Sequence, residues 1–149
     1  MRAKHIYEQK GHDEDWISKR MRGINVRNTL TDEWQGRGAH EGLEFAILTN
    51  EIYRGLFEMD AKKIKAFKSL DKPDNPRDHM SELELILTML GEATTTEITK
   101  TRDSKGLKAL SRDAKEGGNI AGEARKNIES KTGKKVISKA NFKKPKLLQ

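Results

Sequence analysis

The chain has 149 residues, 34% of them apolar and 36% charged, with a net charge of +7 and no cysteine. That length suffices for one domain with its own core and is short for two, and the composition suits helices with one buried stripe and a heavily solvated opposite face. The lack of cysteine excludes disulfides, thiolate metal sites and thiol chemistry; with no run of about 18 apolar residues and no apolar leader, a cytoplasmic chain without a membrane partner is expected.

In chain order, residues 1–12 read as a flexible N-terminal lead, 13–133 as a helical domain and 134–149 as a basic tail. Residues 13–36 open with Asp13, Glu14 and Asp15, acids suited to the positive end of a helix dipole. They then place Trp16, Ile17, Met21, Ile24, Val26, Leu30 and Trp34 at three- and four-residue spacings, so one long helix is expected, with Gly23 as a bend and Gly36 and Gly38 as its end. Residues 43–59 put Phe45, Leu48, Ile52 and Leu56 on a helical face, although FAILT alone is short enough to pass for a strand. Asp60 caps a short helix with Ile64 and Phe67 inward, and the prolines of DKPDNP break the chain.

The stretch 77–100, RDHMSELELILTMLGEATTTEITK, carries the strongest local signal. Ser81 followed by Glu84 fits a capping box, which occupies the carboxylate. Leu83, Leu87, Leu90, Thr94 and Ile98 form a stripe widened by Ile86, Met89 and Ala93, so this helix is expected to be central and buried along that face. The threonines at 94–96 suit hydroxyl bonds to the carbonyl one turn back better than a phosphate site. His79 beside Asp78 could orient an imidazole for base catalysis or metal binding. Adjacent residues do not face each other, however, and His5, His12 and His40 are scattered, so a histidine that pins the loop to the helix start is preferred. No phosphate loop, nucleophile elbow or carboxylate pair is present, and neither an enzyme nor a cofactor is expected.

Residues 106–131 repeat Ala114, Gly117 or Gly118, Ala121, Ala124 or Arg125 and Ile128 every three or four positions, a face of small residues that admits another backbone. Glycine inside a helix costs on the order of 1 kcal/mol relative to alanine, which requires close packing or a break between two helices at Gly117-Gly118. Ala114, Gly118, Ala121 and Ile128 are the candidate interaction face. Charge is unevenly spread: residues 1–99 hold 15 basic and 18 acidic side chains, and residues 100–149 hold 15 basic and 5 acidic. The candidate nucleic-acid-binding residues are Arg112, Lys115, Arg125, Lys126, Lys131, Lys134, Lys135, Lys139, Lys143, Lys144 and Lys146. Such an arm suits a polyanion because neutralised phosphates release condensed counterions; a solubilising tail is the plainer reading. Beyond Phe142 the tail is expected to be disordered without a partner.

Three blocks in this order, EFAILTNEIYRGLF, DHMSELELILTMLGEATTTEI and AKEGGNIAGEARKNIESKTGKKVISKANF, resemble the C-terminal region of prophage Bro-family antirepressor-like proteins and of the DNA-damage-inducible protein D family. Members of these families usually carry an N-terminal Bro domain, so the resemblance implies a C-terminal domain standing alone. It also implies a role in lysogeny control or the bacterial DNA-damage response, with single- or double-stranded DNA or a recombinase filament as partner. The expectation is an all-α compact bundle of about five helices with a basic C-terminal tail. It is expected either to bind phosphate backbone without enzymatic chemistry or to serve as a protein-interaction or homodimerisation module.

Overall fold

The computed structural model describes residues 2–143, of which Arg2 is described in its backbone alone; Lys144 and Lys146, and the disorder expected after residue 143, lie outside it. Among the described residues the chain forms six α-helices, a 3-10 turn at Pro76–His79 and no strand. The helices are α1 (Arg2–Gln9), α2 (Glu14–Gly36), α3 (Leu43–Phe57), α4 (Ala61–Phe67), α5 (Glu82–Arg102) and α6 (Leu107–Thr132). None is long and apolar enough to cross a membrane. The helix beyond the expected five is α1, within the segment read as a flexible lead. Its Tyr7 is buried, with the hydroxyl donating to Asp78 at 2.9 Å and the ring edge-on to Trp16.

Three helix starts form as their sequences direct. Asp13 caps α2 by accepting from the Trp16 amide, Asp60 caps α4 by accepting from Lys63, and Ser81 and Glu84 close the capping box of α5. Helix α2 runs without a break through Gly23, which lies buried against Met89 of α5. Nor does Gly117-Gly118 divide α6, a single helix of 26 residues.

The scaffold is the α5–α6 pair, with α2 packed on α5 and α3 along α6. One apolar cluster joins Trp16, Ile17, Tyr53, Leu56, Ile64, Met80, Leu85 and Leu87, and a second joins Leu30, Trp34, Leu48, Ile52, Leu110 and Ala114. Each large aliphatic side chain so enclosed contributes about 1.5–3 kcal/mol.

Helix α5 is central, but the face it buries takes in only part of the apolar stripe: Leu87 is enclosed, while polar side chains occupy much of the rest. Leu83, Ile86 and Leu90 are 37–41% exposed, while Glu84, Glu92, Thr95 and Thr99 are fully buried. Buried polar groups are tolerated when their bonds are made, and here they are. Thr88, Thr95 and Thr96 bond the carbonyl four residues back, and Thr99 donates to Asp113 of α6 at 3.0 Å. Glu84 meets Lys68 at 2.9 Å with both side chains sealed from solvent. Glu92 accepts from Arg77 and Arg27.

Candidate nucleic-acid interface

Glycine sets the orientation of α6, and that orientation decides which of its charges reach solvent. A Cβ added at Gly118 would stand 2.5 Å from the carbonyl oxygen of Ile52 and 2.8 Å from its Cα, and one added at Gly55 would stand 2.6 Å from the backbone of residues 118 and 119. Gly122 lies against the Gly55 carbonyl on the same side, and Gly117 lies against Thr95 of α5. Ala114, Gly118 and Ala121 are therefore inside the molecule, and Ile128 packs partly buried on the core. The candidate interaction face is not a free surface: the chain's own α3 and α5 occupy it.

The opposite face of α6 is solvated. Arg112 is exposed, with its Nε 3.8 Å from Asp113, a carboxylate already held by Thr99 and Arg102. Lys115 is exposed and makes no ion pair among the described residues. The exposed Lys126 ammonium lies 3.8 Å from Glu58, a contact worth little at that distance and exposure. Lys131, Lys134 and Lys135 follow around Gly133, which ends α6 in the left-handed conformation at φ 72°, and all three are exposed without an ion pair among the described residues. Lys108, not among the candidates, joins this face. Its signal was present in the sequence, since it lies four residues before Arg112 and seven before Lys115.

Two of the candidate cations, Arg125 and Lys143, are tied to groups of the chain, and Lys139, although exposed, lies near an aromatic ring. Arg125 is buried, donating from Nε to the Leu56 carbonyl at 2.6 Å and from Nη1 to Glu129 at 2.7 Å, so it ties α6 to the end of α3. The Lys139 ammonium sits 5.9 Å from the Phe67 ring centre. Lys143 bridges Asp71 at 2.7 Å and Asp74 at 3.4 Å, and its hydrogen bond to Asp71 is the main cause of a raised pKa.

These last contacts belong to a docked segment where a basic tail was expected. Val136 and Ile137 pack on the core, and the Val136 amide donates to Glu129. Lys68 Nζ donates to the carbonyls of Ser138 and Ala140 at 2.9 and 3.2 Å, and Asn141 donates from Nδ2 to the Lys68 carbonyl at 2.7 Å. The Phe142 amide donates to His79 Nδ1 at 2.9 Å, while the Phe142 ring meets His12 and Trp16 edge-on. Residues 136–143 thus strap the outside of the Lys68–Glu84 pair. His79 pins this strap rather than the helix start. Burial pushes its imidazole below the ordinary value, against the pull of Asp74 and Asp78, which keeps Nδ1 free to accept. Among the described residues no three His, Asp or Glu side chains converge as a metal-binding group.

Comparison with known proteins adds one finding. Residues 13–140 match the family model of the DinD C-terminal domain, and the chain belongs to that family. No curated protein and no solved structure matches the chain.

Proposed function

We propose that this DinD C-terminal domain is a non-enzymatic, nucleic-acid-associated module of a cytoplasmic DNA-damage-response protein, holding phosphate backbone along the outward face of α6 and its lysine-rich exit. The observation that supports it is the placement of Lys108, Arg112, Lys115, Lys126, Lys131, Lys134 and Lys135, all exposed along one helix and its first turn beyond. Close glycine packing against α3 sets which face of α6, with Lys108, Arg112, Lys115 and Lys126, turns outward. Such contacts position a polyanion without reading its bases. The kinship with Bro-family prophage antirepressor-like proteins, and a part in lysogeny control, belong to the same proposal.

A salt titration of the full chain against single- and double-stranded DNA tests it. Four phosphate contacts give a slope of log affinity against log salt of roughly −3.6 on duplex, and replacing Lys131, Lys134 and Lys135 by glutamine should reduce it by roughly 2.7. A slope near zero, or one unchanged in the triple variant, refutes the reading. Truncation at Gly133 is the wrong tool, because it removes the strap that seals Lys68 and Glu84.

A second reading is a protein-interaction module, for a recombinase filament, a repressor or a second copy of the chain. The outward stripe of α5, where Leu83, Ile86 and Leu90 are each more than a third exposed, supports it. Sedimentation of the wild type and of Leu90→Glu tests self-association; a monomer in both removes the homodimer.

A further inference from the structure

The buried carboxylate of Glu92 has more cation around it than it can use. Arg77 donates Nη1 and Nη2 to its two oxygens at 2.7 and 2.9 Å, a bidentate pair that neutralises it. Arg27 of α2 nevertheless adds a third bond, Nη1 to Oε2 at 3.0 Å, and donates Nη2 to Thr49 of α3 at 2.7 Å. Its guanidinium lies 5.2 Å from the Trp34 ring centre, and its side chain is 25% exposed. Burial pulls the Arg27 pKa below its ordinary value, with Glu92 opposing and Arg77 adding repulsion. A largely desolvated charge without an acid of its own is costly unless something anionic meets it.

The surroundings are shaped to receive such a group. Arg20, Arg27, Arg77, Lys65, Asn28 and Asn75 line a cleft of about 380 Å³ between α2, α3 and the 3-10 turn, and no described carboxylate lines it. Asp78 and Glu92, the acids that pair with the three arginines, do not line it. Arg20 commits Nε to Asp78 at 3.0 Å and makes no described hydrogen bond through its terminal nitrogens. Lys65 gives one donor to the Lys72 carbonyl at 2.8 Å. Tyr53 also lines the cleft and is 3% exposed; its hydroxyl accepts from Arg77 Nε at 3.0 Å and donates to no described acceptor. The free donors outnumber the two oxygens of a carboxylate and suit a tetrahedral oxyanion with three or four.

We infer that this cleft binds a phosphate group, free or carried by a nucleotide or nucleic acid. It shares no residue with the basic face of α6, so the two sites stand or fall separately. The test is a series of ¹H–¹⁵N spectra of the full chain at low salt, titrated with inorganic phosphate, with adenosine monophosphate and with a short single-stranded oligonucleotide. Saturable shifts are expected at the Trp34 indole and at the Thr49 and Asn75 amides. Arg27→Gln, which leaves Glu92 its bidentate partner, should weaken binding about tenfold or more. Lys65→Gln should weaken it without touching the buried network, and it decides the matter should Arg27→Gln fail to fold. Glutamine replacements at Lys131, Lys134 and Lys135 should leave these shifts unchanged. A response to inorganic phosphate or the monophosphate identifies a free or nucleotide phosphate, and a response to the oligonucleotide alone identifies the backbone of a nucleic acid. Absence of saturable shifts with all three probes at millimolar concentration, or binding undiminished in Lys65→Gln and in a folded Arg27→Gln, overturns the inference.

Discussion

Gly118→Ala sets two ordinary effects against each other at a site where their sum has a definite sign. Alanine favours a helix interior by about 1 kcal/mol over glycine. The new methyl, however, would stand 2.8 Å from Ile52 Cα and 3.0 Å from its carbonyl carbon, backbone atoms of a packed helix that no rotamer change can move. Optimal carbon contacts lie at about 3.5–4.0 Å, so α3 and α6 must part by roughly 0.7 Å, enough to forfeit a quarter to a half of the dispersion well for pairs across the gap. Overpacking of this kind costs about 1–3 kcal/mol, occasionally more. With Gly117 and Gly122 sealing the same helix, the upper end applies and the net loss is about 2 kcal/mol. At about 2–4 °C per kcal/mol, the thermal midpoint should fall by roughly 4–8 °C in a calorimetric or circular-dichroism melt. Gly36→Ala is the control, since a methyl there meets nothing within 4 Å, and it should raise the midpoint by a few degrees. A Gly118→Ala midpoint at or above wild type refutes the close-packing account; so does a change in oligomeric state without loss of stability, because the face is intramolecular.

Lys68→Met leaves the Glu84 carboxylate sealed without its cation and two strap carbonyls without their donor. Breaking one side of such a buried pair costs about 3–5 kcal/mol in urea unfolding, and hydrogen exchange across residues 136–143 should quicken; a loss below about 1 kcal/mol would show that the pair is dispensable. Acid should loosen the same region through the imidazoles, since burial holds both His12 and His79 below the ordinary 6.5. The unfolded chain then binds these protons first, so their contribution is complete above pH 6.5 and declines as pH falls below it toward the folded values. His79→Gln should flatten that stretch of the melting profile, and a wild type that gains stability from pH 7 to 5.5 contradicts the assignment.

Local signals in the sequence were honoured wherever one turn of chain decides the outcome. Asp13, Asp60 and Ser81 cap their helices because the bond partner lies three residues away, and Gly133 ends α6 because a left-handed residue is needed at that one position. What depended on distant partners was not legible. The periodicity of α5 points to Leu83, Leu87, Leu90, Thr94 and Ile98 as the buried side; Leu87 is buried, yet the chain also encloses Glu84, Glu92 and Thr99, whose partners Lys68, Arg77, Arg27 and Asp113 come from other elements. Hydropathy cannot register a carboxylate whose desolvation is offset by a remote guanidinium. The small-residue face of α6 was legible as a close contact, but not that α3 of the same molecule makes it. Lysine counts disclosed the surplus at the C-terminal end without disclosing that Arg125 is buried and Lys143 tied to Asp71. Helix α1 went unseen because its short, highly charged sequence holds only Ile6 and Tyr7 as large apolar residues, and its burial comes from Trp16 and Asp78 further on.

The strap also imposes an order on biosynthesis. Lys68 and Glu84 leave the ribosome well before Ser138 and Ala140, the residues whose carbonyls take up the remaining ammonium protons. During that interval the nascent domain holds an ion pair with one side open to water, until residues 136–143 emerge to cover it. A polypeptide stalled short of residue 138 therefore lacks the cover over that pair.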